Sequence, residues 1–115
     1  MNFIMRIIVT SIVAFGLSYI LSGVHIDTFT TAIVLAIVLA ILNAIVKPIL
    51  IFITFPITIV TLGLFLFVIN ALIIILADKF IKGFAVDGFW WALLFSFLLS
   101  IVTSVLYKEK RDEKD

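Results

Sequence analysis

The chain has 115 residues, of which 65% are hydrophobic and only 13% charged, with a formal net charge of +1. Soluble domains average about 45–50% apolar and about 25% charged residues, so this chain has too little polar surface to cover a water-soluble core. Near-neutrality argues against nucleic acid as a partner, and the absence of cysteine removes disulfides and thiol chemistry.

Apolar runs of the roughly 20 residues needed to cross a bilayer recur along the chain, and they predict four helices. The first covers about residues 3–22, with Arg6 near its start and a stem long enough to bring its charge to the headgroups. No small-residue cleavage motif precedes Gly23, so this span is expected to stay in the protein and not to leave as a signal peptide. After the polar loop GVHIDT, the second span covers about residues 29–46 and ends at Lys47-Pro48. Proline disfavours helix in the residue before it, which predicts a stop or a sharp kink there. Residues 49–55 are apolar but too short to cross, which leaves a loop, an interfacial helix or a re-entrant turn, followed by Pro56. The third span covers about residues 57–77, and Asp78, Lys79 and Lys82 read as a solvated helix end. After the second loop, KGFAVDG, the fourth span covers about residues 89–106, and KEKRDEKD (108–115) reads as a charged cytoplasmic tail. The fold class expected is an all-α membrane protein.

Four spans place Arg6, Lys47, Lys108, Lys110, Arg111 and Lys114 on one side and Lys79 and Lys82 on the other. Six basic residues against two put both termini in the cytoplasm. Tyr19, Trp90 and Trp91 then fall at the outer interface, where amphipathic aromatics anchor helices.

Residues 23–32, GVHIDTFTTA, align with residues 83–92, GFAVDGFWWA, at an offset of 60. The same offset lays Ala32, Ala36, Ala40 and Ala44 over Ala92, Ser96, Ser100 and Ser104. Small residues at every fourth position share one helical face and let helix backbones approach closely in lipid, where little hydrophobic force acts between helices. The expected arrangement is two tandem helical hairpins, related by an axis along the membrane normal as in parallel-repeat transporters. The small faces serve either intramolecular packing or association between copies.

Asn43 and Asn70 bracket the stretch that holds Lys47, Pro48, Pro56 and Gly63. An unpaired amide in hydrocarbon costs several kcal/mol, so both should find partners. An Asn–Asn or Asn–backbone clasp between spans two and three is the plainer reading, and a water-lined path is the other. Gly63, Asn70 and Ala77 recur every seven residues and give span three a small or polar face. Asp27 and Asp87 occupy equivalent points before the even-numbered helices and read as caps that complement the helix dipole. His25 has no second histidine or cysteine to join it, so no metal site is expected, and neither a cofactor nor a catalytic constellation is visible.

The series LNAIVKPIL, PITIVTLGLF, the NAL at Asn70 and GFAVDGFWWALL resembles the four-span phage holin family 4, also called YvlD-like, over roughly residues 5–106. Asn43, Lys47-Pro48, Pro56, Leu62-Gly63, Asn70, Gly83 and Asp87-Gly88 fall in the family's order. The resemblance implies four helices in a bacterial inner (cytoplasmic) membrane and carries over no catalytic residue. Three functions follow as expectations: a non-enzymatic envelope protein acting by self-association or partner binding, a holin-like pore former, or a small channel or transporter. The lipid bilayer is the expected partner, with a possible homo-oligomer.

Overall fold

The computed structural model describes the backbone of residues 2–114 and the side chains of residues 2–108. Its elements in chain order are α1 (Phe3–Ile20), β1 (Val24–Ile26), α2 (Phe29–Ile53), α3 (Phe55–Val60), α4 (Phe65–Phe80), β2 (Phe84–Val86) and α5 (Phe89–Lys114). α1, α2 and α5 are long and apolar enough to cross a membrane. α4, with 16 residues, spans only about 24 Å against a hydrocarbon core of about 30 Å. The solvation expected for the tail from Glu109 onward lies outside the described side chains.

Two sequence expectations give way here. Pro48 does not end the second helix, which runs on to Ile53. Proline removes one backbone donor and crowds the carbonyl four residues back, but the residue there is Ala44, small and exposed, and the surroundings can re-satisfy a freed carbonyl. Residues 49–53 are therefore the last turns of α2, not a loop or re-entrant turn. The break comes at Thr54, whose hydroxyl donates to the Leu50 carbonyl at 2.7 Å, and Pro56 sits in the first turn of α3, where a missing donor costs nothing.

The second correction concerns span three, which is interrupted. α3 ends in a two-bond C-terminal motif: the Gly63 amide donates to Thr58 O at 2.8 Å and the Leu62 amide to Ile59 O at 3.0 Å. This geometry puts Leu62 (φ 57°) and Gly63 (φ 90°) at positive φ. Leucine in that conformation is strained, and its side chain is almost wholly exposed. Thr61 then accepts from the Phe65 amide at 3.1 Å and starts α4.

α1 and α4 each pack against both α2 and α5, so the four long helices close into a ring. Its centre is filled by Leu35, Ile69 and Phe95, all fully buried. Ala32 and Ala92 are fully buried and Ala36 and Ser96 nearly so, whereas Ala44, Ser100 and Ser104 are exposed. The small-residue faces thus pack closely next to the strands, and the helices draw apart toward the termini.

The strands were not foreseen. β1 and β2 pair antiparallel, with Val24 opposite Val86, His25 opposite Ala85 and Ile26 opposite Phe84. A residue and its partner always sum to 110, so adding 60 to one number and subtracting 60 from the other returns the same set of pairs. The flanking bonds obey the same exchange: the Asp27 amide donates to Gly83 O at 3.0 Å, and the Asp87 amide to Gly23 O at 2.8 Å. Each loop thereby satisfies the backbone groups of the other, which neither could do alone. Trp91 lies directly against Gly23, which leaves no room for a side chain there.

Candidate functional site

At the strand end, His25 Nε2 lies 3.1 Å from Asp87 Oδ2, and both side chains are about half exposed. An exposed pair of this kind contributes at most about 1 kcal/mol. The capping expectation for Asp27 does not hold, because Thr28 caps α2 by accepting from the Thr31 amide at 3.2 Å. Asp27 instead places its carboxylate beside Gly83, and Asp87 turns to His25 across the strand pair. The residue immediately before α2 takes the capping position, and Asp27 stands one residue further back. Asp78 is half-buried and accepts from the Val86 amide at 3.2 Å, which ties α4 to β2; Lys79 and Lys82 are exposed. Among the described residues no group of three or more His, Asp or Glu side chains could hold a metal ion.

The expected clasp between Asn43 and Asn70 is not made. Asn43 is exposed, Asn70 is half-buried, and the hydrogen bonds among the described side chains include neither amide. The cause is helical phase. Asn43 follows Ala36 by seven residues and Ala40 by three, which turns it away from α4 onto the edge between the space facing α1 and α5 and the outer flank of α2. Lys47 is half-buried beside Asn43, Pro48, Ile51, Phe52 and Phe55 in a shallow groove on the other flank of α2. It lies about 27 Å from the start of α2, near the far interface as its charge requires. Gly63 is in the turn before α4, and Ala77 is fully buried in the core.

Where the helices draw apart they leave a cavity of about 450 Å³ between α1, α2 and α5. Arg6, Thr10, Asn43, Ser100, Thr103 and Tyr107 supply its polar wall, and Ala36, Ala40 and Ala44 its smooth one. The Thr10 hydroxyl lies 2.6 Å from the Tyr107 hydroxyl, which in turn donates to the Arg6 carbonyl at 3.3 Å. The Arg6 guanidinium sits 5.2 Å above the Tyr107 ring, within cation–π range. Thr103 returns its hydroxyl to the Leu99 carbonyl at 2.6 Å. Among the described residues no carboxylate or imidazole lines the cavity.

Sequence reading placed Asn43 in a polar role but missed its neighbours. Arg6 and Tyr107 are 101 residues apart, beyond any local pattern. One signal was available: the offset of 60 pairs Asn43 with Thr103 and Asn70 with Thr10, so the polar positions of the two halves correspond.

A ring of apolar helices with a greasy exterior, a dry centre and paired loops defines a polytopic helical membrane protein. The chain belongs to the family described as mycobacterial 4 TMS phage holin, superfamily IV, whose family model matches residues 1–105. It is 35% identical over 103 residues to the "uncharacterized membrane protein YvlD" of Bacillus subtilis, which covers 89% of this chain and 87% of that one. It is 50% identical over 64 residues to the "uncharacterized protein SCO3922" of Streptomyces coelicolor, which covers 52% of this chain and 51% of that one. No solved structure matches.

Proposed function

We propose that this is a non-enzymatic protein of the bacterial cytoplasmic membrane that works by self-association, with the outer flank of α2 as the contact. Four membrane passes in two tandem hairpins complete the reading. α3 and the turn after it lengthen the short third crossing, and both termini face the cytoplasm by the balance of basic residues. The self-exchanging register of the strands supports a two-fold relation between hairpins, with its axis along the membrane normal.

The observation that carries the reading is Asn43, an amide exposed on a helix of 25 otherwise mostly apolar residues, with no partner among the described side chains. In hydrocarbon such a group seeks another polar group, and a second copy offers the same amide. Next to it Phe52 and Phe55 stand largely exposed and supply apolar area for the same contact. With no native cysteine, single-cysteine variants give a clean measurement. Phe52→Cys is expected to cross-link into dimers in membranes, and adding Asn43→Leu should cut the yield several-fold. Leu72→Cys on α4 is expected to remain monomeric. Equal cross-linking at the two positions, or a monomer throughout, sinks the reading.

Membership of a holin family favours pore formation as the second reading. Because Leu35, Ile69 and Phe95 fill the centre of one chain, any passage has to form between chains. Under that reading, inducing the protein collapses the membrane potential only above the expression level at which cross-linked oligomers are present. A potential that stays intact at high oligomer yield removes it.

A further inference from the structure

We propose that the cavity between α1, α2 and α5 is a binding site for one anionic phospholipid, with its phosphate at Arg6 and an acyl chain along the alanine wall of α2. The depth of the groups sets this arrangement. Counted from the strand end at 1.5 Å per residue, the Arg6 backbone lies about 21 Å along α1 and Tyr107 about 27 Å along α5. Helical side chains lean toward their N-terminus, which carries the guanidinium outward from its own backbone level to that of the Tyr107 ring, 5.2 Å away. The one charge among the described lining residues therefore sits near the membrane surface while the rest of the cavity reaches inward. From that level inward one wall is Ala36, Ala40 and Ala44, a strip without branches or polar atoms, and it faces the hydroxyls of Thr10, Ser100 and Thr103.

Three further observations favour an anion with a tail. Among the described residues no carboxylate lines the cavity or faces the guanidinium, and basic pockets between membrane helices take anionic headgroups. The guanidinium lies over the Tyr107 ring, and among the described residues none of its N–H groups makes a side-chain hydrogen bond, which leaves them for a phosphate. The site also breaks the internal repeat: the offset of 60 puts Leu66 at the place of Arg6 and Lys47 at the place of Tyr107. The cation-on-ring pairing is therefore confined to one side of the molecule and is not a by-product of the duplication.

The test uses the full-length protein in detergent, titrated with phosphatidylglycerol and with phosphatidylcholine and read by native mass spectrometry. The expected result is one phosphatidylglycerol per chain, retained in preference to phosphatidylcholine. Arg6→Gln should reduce that preference about fivefold, the factor that one basic residue near an anionic headgroup is worth. Ser100→Leu fills the cavity without altering charge and should lower occupancy by both lipids. Lys47→Gln removes a cation at similar depth outside the cavity and should leave the preference unchanged. Excess inorganic phosphate should not displace the lipid; displacement would assign the site to free phosphate and overturn the lipid assignment. Equal binding of the two lipids by the native protein, or equal losses from Lys47→Gln and Arg6→Gln, would likewise overturn it. Cross-linking through Phe52→Cys is independent of Arg6, so failure here is distinguishable from failure of self-association.

Discussion

Phe95→Ala is expected to destabilise the protein by about 3 kcal/mol, the lower end of the range for truncating a core aromatic. Phe95 is fully buried at the centre of the ring, and its ring lies 5.9 Å from that of Phe84 on β2, itself nearly inaccessible. Truncation therefore opens a void where all the long helices converge and also loosens the strand pair above it. The lower end applies because the unfolded chain stays in lipid, so the transfer contribution shrinks and the lost packing contacts remain. Phe97, two residues on, is 44% exposed and faces outward against Phe67. Phe97→Ala should fall within about 0.5 kcal/mol of the native protein, as surface substitutions do. Reversible unfolding in bicelles measures both, and equal losses would show that the centre of the ring is not tightly packed.

Gly83→Ala is expected to be about as damaging, by a different route. Gly83 has φ 91°, a backbone conformation that costs a side-chain-bearing residue about 1–3 kcal/mol. A methyl group there would also run into the carboxylate of Asp27, whose backbone amide is held by the Gly83 carbonyl. The carboxylate and that hydrogen bond cannot both keep their places. Gly63 separates the two contributions, since its φ is 90° but nothing stands within 4 Å of the position a Cβ would take. Gly63→Ala should therefore lose only the backbone part, about 1 kcal/mol, and Gly83→Ala clearly more. In an Asp27→Ala background the loss from Gly83→Ala should fall toward that of Gly63→Ala. If it does not, the carboxylate is not the obstacle.

The helices were legible because twenty apolar residues in a row leave few other options, and span boundaries at the polar loops follow directly. The failures are at places where local rules compete with surroundings. Pro48 reads as a stop because the rule comes from helices in water, whereas here the crowded carbonyl belongs to an exposed alanine. The turn at Leu62 was hidden because leucine is a poor choice for a left-handed cap, and only the glycine after it hinted at an ending. The strands have three residues each, too short for any alternation, and their only trace is the repeat that aligns the two loops. Asn43 was recognisable as an amide needing company, but its direction depended on where α1 and α5 stand. The Arg6–Tyr107 pairing joins opposite ends of the chain and becomes visible only once the ring has closed.

Because the two loops are bonded to each other by a self-complementary register, each half of the molecule offers its strand to any equivalent half. A neighbouring chain carries the same strand, and the segment around Thr54 to Leu64 joins the halves through a short helix and a turn. Two chains that trade their C-terminal hairpins keep every hydrogen bond of the loop pair and change only the path of that connector. Domain exchange of this kind would give an interlocked dimer without a new interface having to be built.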